Sequence, residues 1–266
     1  MLHHIFCLVL DGALFRAPLF QHNQPQRVLD LGCGTGIWCI GFADEFPESV
    51  VIGNDLSPIQ PSWVPPNCRF YVDDIESEWA YSPSEHFDYI HGRSLCGSIA
   101  DWPRLFAQSF NNLNPGGWLE MQEFYSYVYD YNGSKDNAVN LKDWEVQINE
   151  ASRRFGRDLR KANVLKQYME DAGFADVQEQ IYKVPIGMWA KGSKFKELGK
   201  YALAQFLGSV EPFSLALFTR VLGYTVEETQ VMVAKVKSDL VDPQLHSYLQ
   251  FHFVWGRKPG GPGGSE

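Results

Sequence analysis

The sequence predicts an α/β fold, with a parallel sheet that carries helices on both faces. Three observations predict it. Short apolar runs alternate with helical patterns through the first half of the chain, a glycine-rich turn follows the first of these runs, and amphipathic helices precede a last alternating run near the end. Alternation of strands and helices is typical of a parallel sheet whose two faces are covered by the connecting helices.

Five apolar runs in the first half predict buried strands. They span residues 27–31, 50–55, 68–72, 87–91 and 118–124. A helix is predicted over residues 37–46, ended by Pro47, and another over residues 102–113, stopped by the Asn-Pro-Gly-Gly sequence at 114–117. Proline and glycine at these points cannot continue a regular helix.

The second half predicts more helix, followed by a late return to the sheet. Helices are expected over residues 141–155, 164–172, 195–207 and 226–240, and strands over 177–184 and 245–255. Residues of about 186–244 then form a helical insertion between the last two strands. Such an insertion is expected to cover the ligand crevice at the carboxyl ends of the strands.

The chain is expected to form a single domain over residues 1–266. It is divided into an N-terminal segment (1–23), a core (about 24–185 and 245–258), a helical cap (about 186–244) and a disordered tail (259–266). The apolar start lacks the features of a secretory signal and is expected to be a buried strand or helix.

Composition limits the classes of function. Lys and Arg number 23 against 32 Asp and Glu, which gives a net charge of −9 and argues against a dedicated nucleic-acid binder. No apolar run reaches the roughly 18 residues of a membrane span. Five cysteines without a C-x-x-C pair indicate reduced thiols in the cytoplasm, or in the nucleus. Aromatic residues, at 14%, suggest an aromatic-lined pocket or a large helical subdomain.

The strongest motif is the turn that carries Gly32, Gly34 and Gly36 between a strand and a helix. Glycines there let the backbone turn tightly and approach a ligand closely. A dinucleotide fingerprint would require glycine at 37, where this chain has Ile37, and no Gly-Lys-Ser/Thr of a phosphate-binding loop follows. Asp30 precedes the turn, and its carboxylate would repel a pyrophosphate but suits an ammonium group.

Further acidic residues follow the next two strands. Asp55 ends the second strand 19 positions after Gly36, where a carboxylate holds ribose hydroxyls in nucleotide-binding sheets. After the third strand, Asp73 or Asp74 is suited to accept from the adenine amine, with Ile75 against the ring, although both aspartates could instead cap a helix. Ribose, an ammonium group and no phosphate together indicate S-adenosylmethionine.

On these residues the chain resembles class I S-adenosylmethionine-dependent methyltransferases, and more closely the LaeA-like (UMTA-type) fungal methyltransferases. The matching stretches cover most of residues 2–124. They include the glycine turn within 27–38, Asp-Leu-Ser-Pro-Ile-Gln-Pro at 55–61 and Trp-Val-Pro-Pro-Asn at 63–67. The resemblance implies a Rossmann-like seven-stranded sheet, S-adenosyl-L-methionine as cofactor and a role in secondary metabolism. Family members usually carry more sequence before the His-His-x-Phe segment, and Cys33 stands where their turn commonly has threonine.

The resemblance also implies site residues beyond the motif. Cys33 and Leu56 join the cofactor site, and Arg93 would pair with the cofactor carboxylate, unless it is a surface arginine beside Asp88 or Asp101. His3 and His4 either touch this pocket or pack at its edge. Independently of the resemblance, Glu120 and Glu123 lie near the end of the fifth strand, which faces the crevice, and a carboxylate there could orient a substrate hydroxyl or amine, or act as a base. Glu123 is the candidate catalytic residue. Trp63 and the alternating tyrosines from 125 to 131 are candidates for the acceptor pocket, or the tyrosines simply form one face of an extended segment.

Neither a dedicated nucleophile nor a metal-ligand spacing is found in the sequence. We therefore predict a metal-independent methyltransferase that acts on oxygen or nitrogen of a small molecule by in-line displacement. Two alternatives stay open. One is a regulator that acts through partner proteins with little turnover, and the other is a protein methyltransferase with an open acidic groove.

Overall fold

The computed structural model describes residues 1–20 and 24–260. The strands are β1 (Arg27–Leu31), β2 (Val50–Asp55), β3 (Cys68–Val72), β4 (Phe87–Arg93), β5 (Leu113–Asp130), β6 (Ala175–Ile186) and β7 (Ser247–Arg257). Among the described residues they form one seven-stranded sheet in the order β3-β2-β1-β4-β5-β7-β6. The first five strands are parallel, and β7 runs antiparallel to both of its neighbours. The predicted α/β Rossmann-like fold is confirmed.

Most helices occupy the predicted intervals with small shifts of their ends, but the helix predicted over residues 195–207 spans Ser193–Leu217. They are α1 (Leu2–Val9), α2 (Ile37–Glu45), α3 (Trp102–Asn112), α4 (Val139–Arg154), α5 (Leu165–Asp171), α6 (Ser193–Leu217) and α7 (Val226–Leu240). The apolar start of the chain is therefore a helix, not a strand. Asp101 accepts a hydrogen bond from the Arg104 amide at the start of α3, which satisfies one of the amides that a helix end leaves free.

The fifth strand is longer than predicted. Leu113 pairs with Phe87 and Trp118 pairs with Tyr89, so residues 114–117 form a bulge inside β5 instead of a loop before it. At its other end β5 continues to Asp130 and pairs there with Ser247 of β7. The tyrosines from 125 to 129 thus lie on an extended segment.

The sheet is covered by apolar clusters on both faces. One cluster joins the sheet to α3 and α5 through residues such as Phe106 and Met169. The other joins it to α2 through Trp38 and Phe42, with Leu14 from the segment before β1. Helices on both faces bury the central strands β1, β2 and β4 from two sides, as is usual for parallel sheets, while the edge strand β3 is partly exposed.

A third cluster forms the helical cap, which we define as α4, α6 and α7. Trp144, Ile148, Val210, Phe218 and Val236 meet there. The cap therefore includes α4 in addition to the predicted insertion between the last two strands. The division of the chain into domain, core and cap stays a prediction, and residues 21–23 and 261–266, the latter most of the predicted tail, lie outside the described residues.

The cap contains one unusually apolar helix. With the π-helical turn Phe218–Leu222, α6 makes a helix of 30 residues, Ser193–Leu222, which is long and apolar enough to cross a membrane by length and composition alone. The sequence had predicted no such segment. Val210 and Phe218 of this helix are buried in the cap cluster, although only 22% of its apolar window is buried. A single helix of this kind is weak evidence for a membrane span.

Candidate active site

A cleft of about 550 Å³ lies at the carboxyl ends of the parallel strands. This is where ligands bind in open α/β sheets. Six of the predicted cofactor residues contribute to its lining: Gly32, Asp55, Leu56, Asp73, Asp74 and Ile75. The structure thus brings together residues from the turn after β1, the end of β2 and the segment after β3.

Asp55 is fixed at the edge of the cleft. Its Oδ2 accepts from the Gly34 amide at 2.7 Å and its Oδ1 accepts from the Ser57 amide at 2.9 Å. An ionised carboxylate has about four lone-pair positions, so these two bonds leave acceptor capacity on both oxygens. This capacity suits the two neighbouring hydroxyls of a ribose.

The glycine turn needs glycine for steric reasons. Gly32, Gly34 and Gly36 all have left-handed backbones, with φ of 60°, 56° and 75°. A Cβ on Gly36 would lie 2.6 Å from Cε1 of Phe70, and one on Gly32 would lie 2.6 Å from Cδ2 of Leu95. Gly36 therefore permits both the turn into α2 and the packing of β3 against it.

The segment after β3 offers polar and apolar groups side by side. Asp73 and Asp74 are exposed in the cleft, while Ile75 is 8% exposed at its wall. Asp74 Oδ1 accepts from the Glu76 amide at 2.9 Å, and Asp73 Oδ1 accepts from the Asp74 amide at 2.9 Å. Asp73 Oδ2 also accepts from Nδ2 of Asn54 at 3.4 Å. The contact of one of these aspartates with adenine stays a prediction.

Asp30 lies below the turn and does not line the cleft. It is 3% exposed, and its Oδ1 is 2.7 Å from Nδ1 of His91 while its Oδ2 accepts from the Cys39 thiol at 3.2 Å. The predicted contact of Asp30 with a ligand ammonium group is therefore not formed by this arrangement. Cys33 and Gly34 likewise act through the backbone of the turn, because the Cys33 amide donates to the Asn54 carbonyl at 2.9 Å.

Arg93 is also held away from the cleft. Its Nη2 is 2.9 Å from Nδ1 of His3, and its guanidinium stands 4.9 Å from the centre of the Phe6 ring. Burial, followed by the charge of Arg93, lowers the pKa of His3 to about 4, so this histidine is neutral and accepts the hydrogen bond. Arg93, which the sequence assigned to a cofactor carboxylate, therefore contacts His3 and Phe6 of α1 instead.

The carboxylates of β5 are structural anchors. Glu120 is fully buried and accepts from the amides of Arg16 and Ala17, which fastens the segment before β1 to the sheet. Glu123 is also fully buried, and its two oxygens accept from the amides of Leu95 at 2.6 Å and Cys96 at 3.0 Å. Burial raises the pKa of Glu123 to about 7. Because neither the cleft nor the cavity lining includes Glu123, this residue does not have the position of a catalytic base.

A second pocket, which we call the cavity, encloses about 200 Å³ between the sheet and the cap. Its walls come from α1, β5, α4, α6 and β7, and are largely apolar and aromatic, with Phe124, Tyr127, Trp144, Phe206, Phe213 and Phe251 among them. Of the aromatic residues predicted for an acceptor pocket, Tyr127 lies here. Trp63 does not, since its side chain is 94% exposed.

Ser94 connects the two pockets. Within the described residues it is the one residue that contributes to the lining of both the cleft and the cavity. The sequence did not indicate Ser94 or the cavity residues of α4 and α6. Their signal was the helical spacing of aromatic and aliphatic residues in these segments, which equally fits a simple core.

Comparisons with known proteins were made against this geometry. Residues 1–179 match the family described as methyltransferase domain. The chain belongs to this methyltransferase family. It is 37% identical to methyltransferase pytC of Aspergillus terreus over 260 residues, which cover 97% of this chain and 79% of the relative. It is 35% identical to the secondary metabolism regulator laeA of Monascus pilosus over 256 residues, 94% of this chain and 67% of the relative.

Solved structures agree on the fold of the methyltransferase. A Haemonchus contortus phosphoethanolamine N-methyltransferase 2, solved with phosphomonomethylethanolamine and S-adenosylhomocysteine, superposes with a TM-score of 0.51. The match covers 88% of this chain and 49% of that chain at 20% identity, so it supports the architecture alone. The predicted resemblance to LaeA-like, class I methyltransferases is confirmed, and S-adenosylmethionine is the cofactor of this family.

Proposed function

We propose that this methyltransferase transfers a methyl group to oxygen or nitrogen of a small, largely apolar molecule of fungal secondary metabolism. The observation that carries the proposal is the adjacency of a polar cleft and an apolar cavity that meet at Ser94. An enzyme that joins two ligands needs two such sites that open onto each other.

The cleft supplies the groups for the cofactor. Asp55 would hold the ribose hydroxyls, Asp73 or Asp74 the adenine amine, and Ile75 the face of the ring. When bound, S-adenosylmethionine supplies a methyl group already activated on a sulfonium. The acceptor lone pair would form the new bond as the sulfur–methyl bond breaks, and the acceptor's O–H or N–H proton would be released to solvent. The protein's part is therefore to align the acceptor with the activated methyl group.

The cavity favours a small molecule over a protein substrate. It lies between the sheet and the cap, and its lining is mostly apolar. Pockets of this kind bind molecules with few polar groups. A lysine or arginine side chain would lose its hydration there without an unpaired carboxylate to receive it.

A regulator with little turnover is the second candidate, favoured by the similarity to laeA. Such a protein would bind the cofactor in the same cleft. The two candidates differ in turnover, since an enzyme with a filled cleft methylates an acceptor that fits the cavity.

Calorimetric titration with S-adenosylmethionine and S-adenosylhomocysteine tests the cleft, followed by transfer of labelled methyl groups to organic extracts of a fungal culture. Asp55→Asn should weaken cofactor binding by more than about tenfold, since it removes the charged acceptor from two ribose hydroxyls. Asp44→Asn, an exposed aspartate on α2, is the matched control. Wild-type protein without cofactor affinity would overturn both candidates, and cofactor binding without any labelled product would favour the regulator.

A further inference from the structure

We propose that the Ser94 hydroxyl orients the acceptor, and that the acceptor is an uncharged, ring-bearing molecule with an O–H or N–H at the end nearest the cleft. The proposal rests on the proposed function and adds the class of substrate and the residue that aligns it. Ser94 Oγ would accept the hydrogen bond of the acceptor's O–H or N–H and so direct its lone pair towards the cleft.

The backbone of Ser94 is held in an unfavourable conformation. Its φ of 59° lies in the left-handed region, which costs free energy for a residue with a Cβ. The conformation is fixed by its surroundings: the Ser94 amide donates to the Gln122 carbonyl at 3.0 Å, and the next two amides donate to Glu123. Strain of this kind persists only where neighbouring contacts determine it, and it is common at ligand sites.

The hydroxyl of Ser94 has no hydrogen-bond partner within the described residues, and its Oγ is buried. A ligand would therefore bond it after rotation about the Cα–Cβ bond turns the hydroxyl towards the cavity. Buried hydroxyl groups in proteins are nearly always hydrogen-bonded, because an unpaired one loses its hydration without compensation. By contrast Ser209, which lines the same cavity, already donates to the Gln205 carbonyl at 2.8 Å.

The charge in the cavity wall is already neutralised. Glu145 is the acidic residue of the lining, and it accepts from Lys135 Nζ at 2.7 Å and from the Val128 amide. The Lys135 ammonium in turn stands 3.9 Å from the centre of the Tyr127 ring. A charged acceptor would enter this wall without a partner, which is costly at low dielectric, so the wall selects against it.

The remaining wall suits an aromatic or polycyclic body. Tyr127 on β5, Trp144 on α4 and Phe206 on α6 approach from three different elements. Aromatic side chains contribute large apolar area together with a preference for edge-to-face or offset contacts with other rings. A ring system in the cavity with one substituent directed towards Ser94 would bring that substituent next to the cleft.

Three probes that share one ring system test the proposal: naphthalene, 2-naphthol and 2-naphthoate. Dissociation constants are measured by ligand-observed NMR on the full chain saturated with S-adenosylhomocysteine, whose own affinity is measured first. Wild-type protein should bind 2-naphthol more tightly than naphthalene and should bind 2-naphthoate most weakly. Ser94→Ala and Ser94→Gly should each weaken the binding of 2-naphthol by about three- to tenfold, which corresponds to the loss of one hydrogen bond. The affinity for naphthalene should be unchanged in both variants.

The glycine variant guards against a folding defect, because glycine accepts the left-handed backbone that alanine strains. Ser209→Ala is the matched control and should change 2-naphthol by less than about twofold, since its hydroxyl is already bonded. Unchanged 2-naphthol affinity in both Ser94 variants would overturn the role of the hydroxyl. If 2-naphthoate bound as tightly as 2-naphthol, or if neither naphthalene nor 2-naphthol bound, the proposed substrate class would be overturned. If both Ser94 variants lost affinity for S-adenosylhomocysteine, the residue would be assigned to the cofactor site instead. If the wild-type protein did not bind S-adenosylhomocysteine, the proposed function itself would be contradicted.

Discussion

Glu123 accepts at its Oε1 from the backbone amide of Leu95 at 2.6 Å, and its other oxygen accepts from the next amide along the chain. A buried carboxylate on β5 thereby fixes the turn after β4. That turn carries Ser94 between the cleft and the cavity. The residue that the sequence indicated as a base is thus a positioning residue for the junction of the two pockets.

Glu123→Gln should destabilise the fold by about 1–3 kcal/mol, because the amide nitrogen of glutamine cannot accept from a backbone N–H and one buried donor loses its partner. Urea denaturation monitored by circular dichroism measures the change. Glu78→Gln, an exposed position in the segment after β3, is the control and should stay within about 0.5 kcal/mol of the wild type. Equal stability of the two variants would mean that the loop does not depend on Glu123.

The stability conferred by Glu123 should depend on pH. Its pKa is raised from 4.5 to about 7 by burial, so the folded state keeps a proton that the unfolded chain releases. The contribution is therefore most favourable below pH 4.5, falls as pH rises and levels off above about 7. The difference amounts to about 3 kcal/mol between these limits. Unfolding free energies of wild type and Glu123→Gln measured from pH 4 to 8 should diverge accordingly, and parallel curves would contradict the assignment.

The contribution of His3 to stability should depend on pH in the opposite direction to that of Glu123. Its pKa is lowered to about 4 by burial and by the charge of Arg93, so the folded state lacks a proton that the unfolded chain binds below 6.5. Its contribution to stability is complete above pH 6.5 and is lost as pH falls through about 4. His3→Gln keeps an acceptor for Arg93 and should flatten this acid limb in the same titration, whereas His4→Gln, an exposed neighbour, should not.

Gly36→Ala should lower the free energy of unfolding by more than the left-handed backbone of Gly36 alone would cause. Gly36 and Gly223 have similar φ values of 75° and 78°, but a Cβ on Gly36 would overlap the Phe70 ring while one on Gly223 meets nothing within 4 Å. Gly223→Ala should cost about 1–2 kcal/mol of unfolding free energy. Gly36→Ala should exceed this by about 1–3 kcal/mol and weaken cofactor binding. Thermal unfolding and calorimetry of both variants provide the comparison, and equal losses would show that the ring contact is unimportant.

Ala202→Phe should block ligand binding in the cavity without affecting cofactor binding in the cleft. Ala202 is a buried residue of α6 whose side chain lines the cavity and not the cleft. A phenyl group there would fill space that the acceptor needs, and naphthalene affinity should fall by more than about tenfold. Binding of S-adenosylhomocysteine should be unchanged. Equal loss of both ligands would indicate a general disturbance of the fold instead of a blocked cavity.

The local sequence determined the elements of the fold and half of the candidate site. Apolar runs, helix-stopping residues and the glycine turn act over a few residues, so they predicted β1, α2 and the position of Asp55 at the end of β2. Asp73, Asp74 and Ile75 follow β3 in the same way. Chain direction in a parallel sheet then brings these strand ends to one edge without further information.

Tertiary structure decided the availability of each predicted side chain. Asp30 and Arg93 follow the same kind of pattern as Asp55, yet one is bound by His91 and the other by His3 of α1, which lies 90 residues away in sequence. Ser94 gave no signal at all, because its role depends on a strained turn and on cap helices that meet it from the far half of the chain. Neighbouring residues determine short-range sterics and periodicity. Burial and the choice of hydrogen-bond partner are determined only when distant segments pack together.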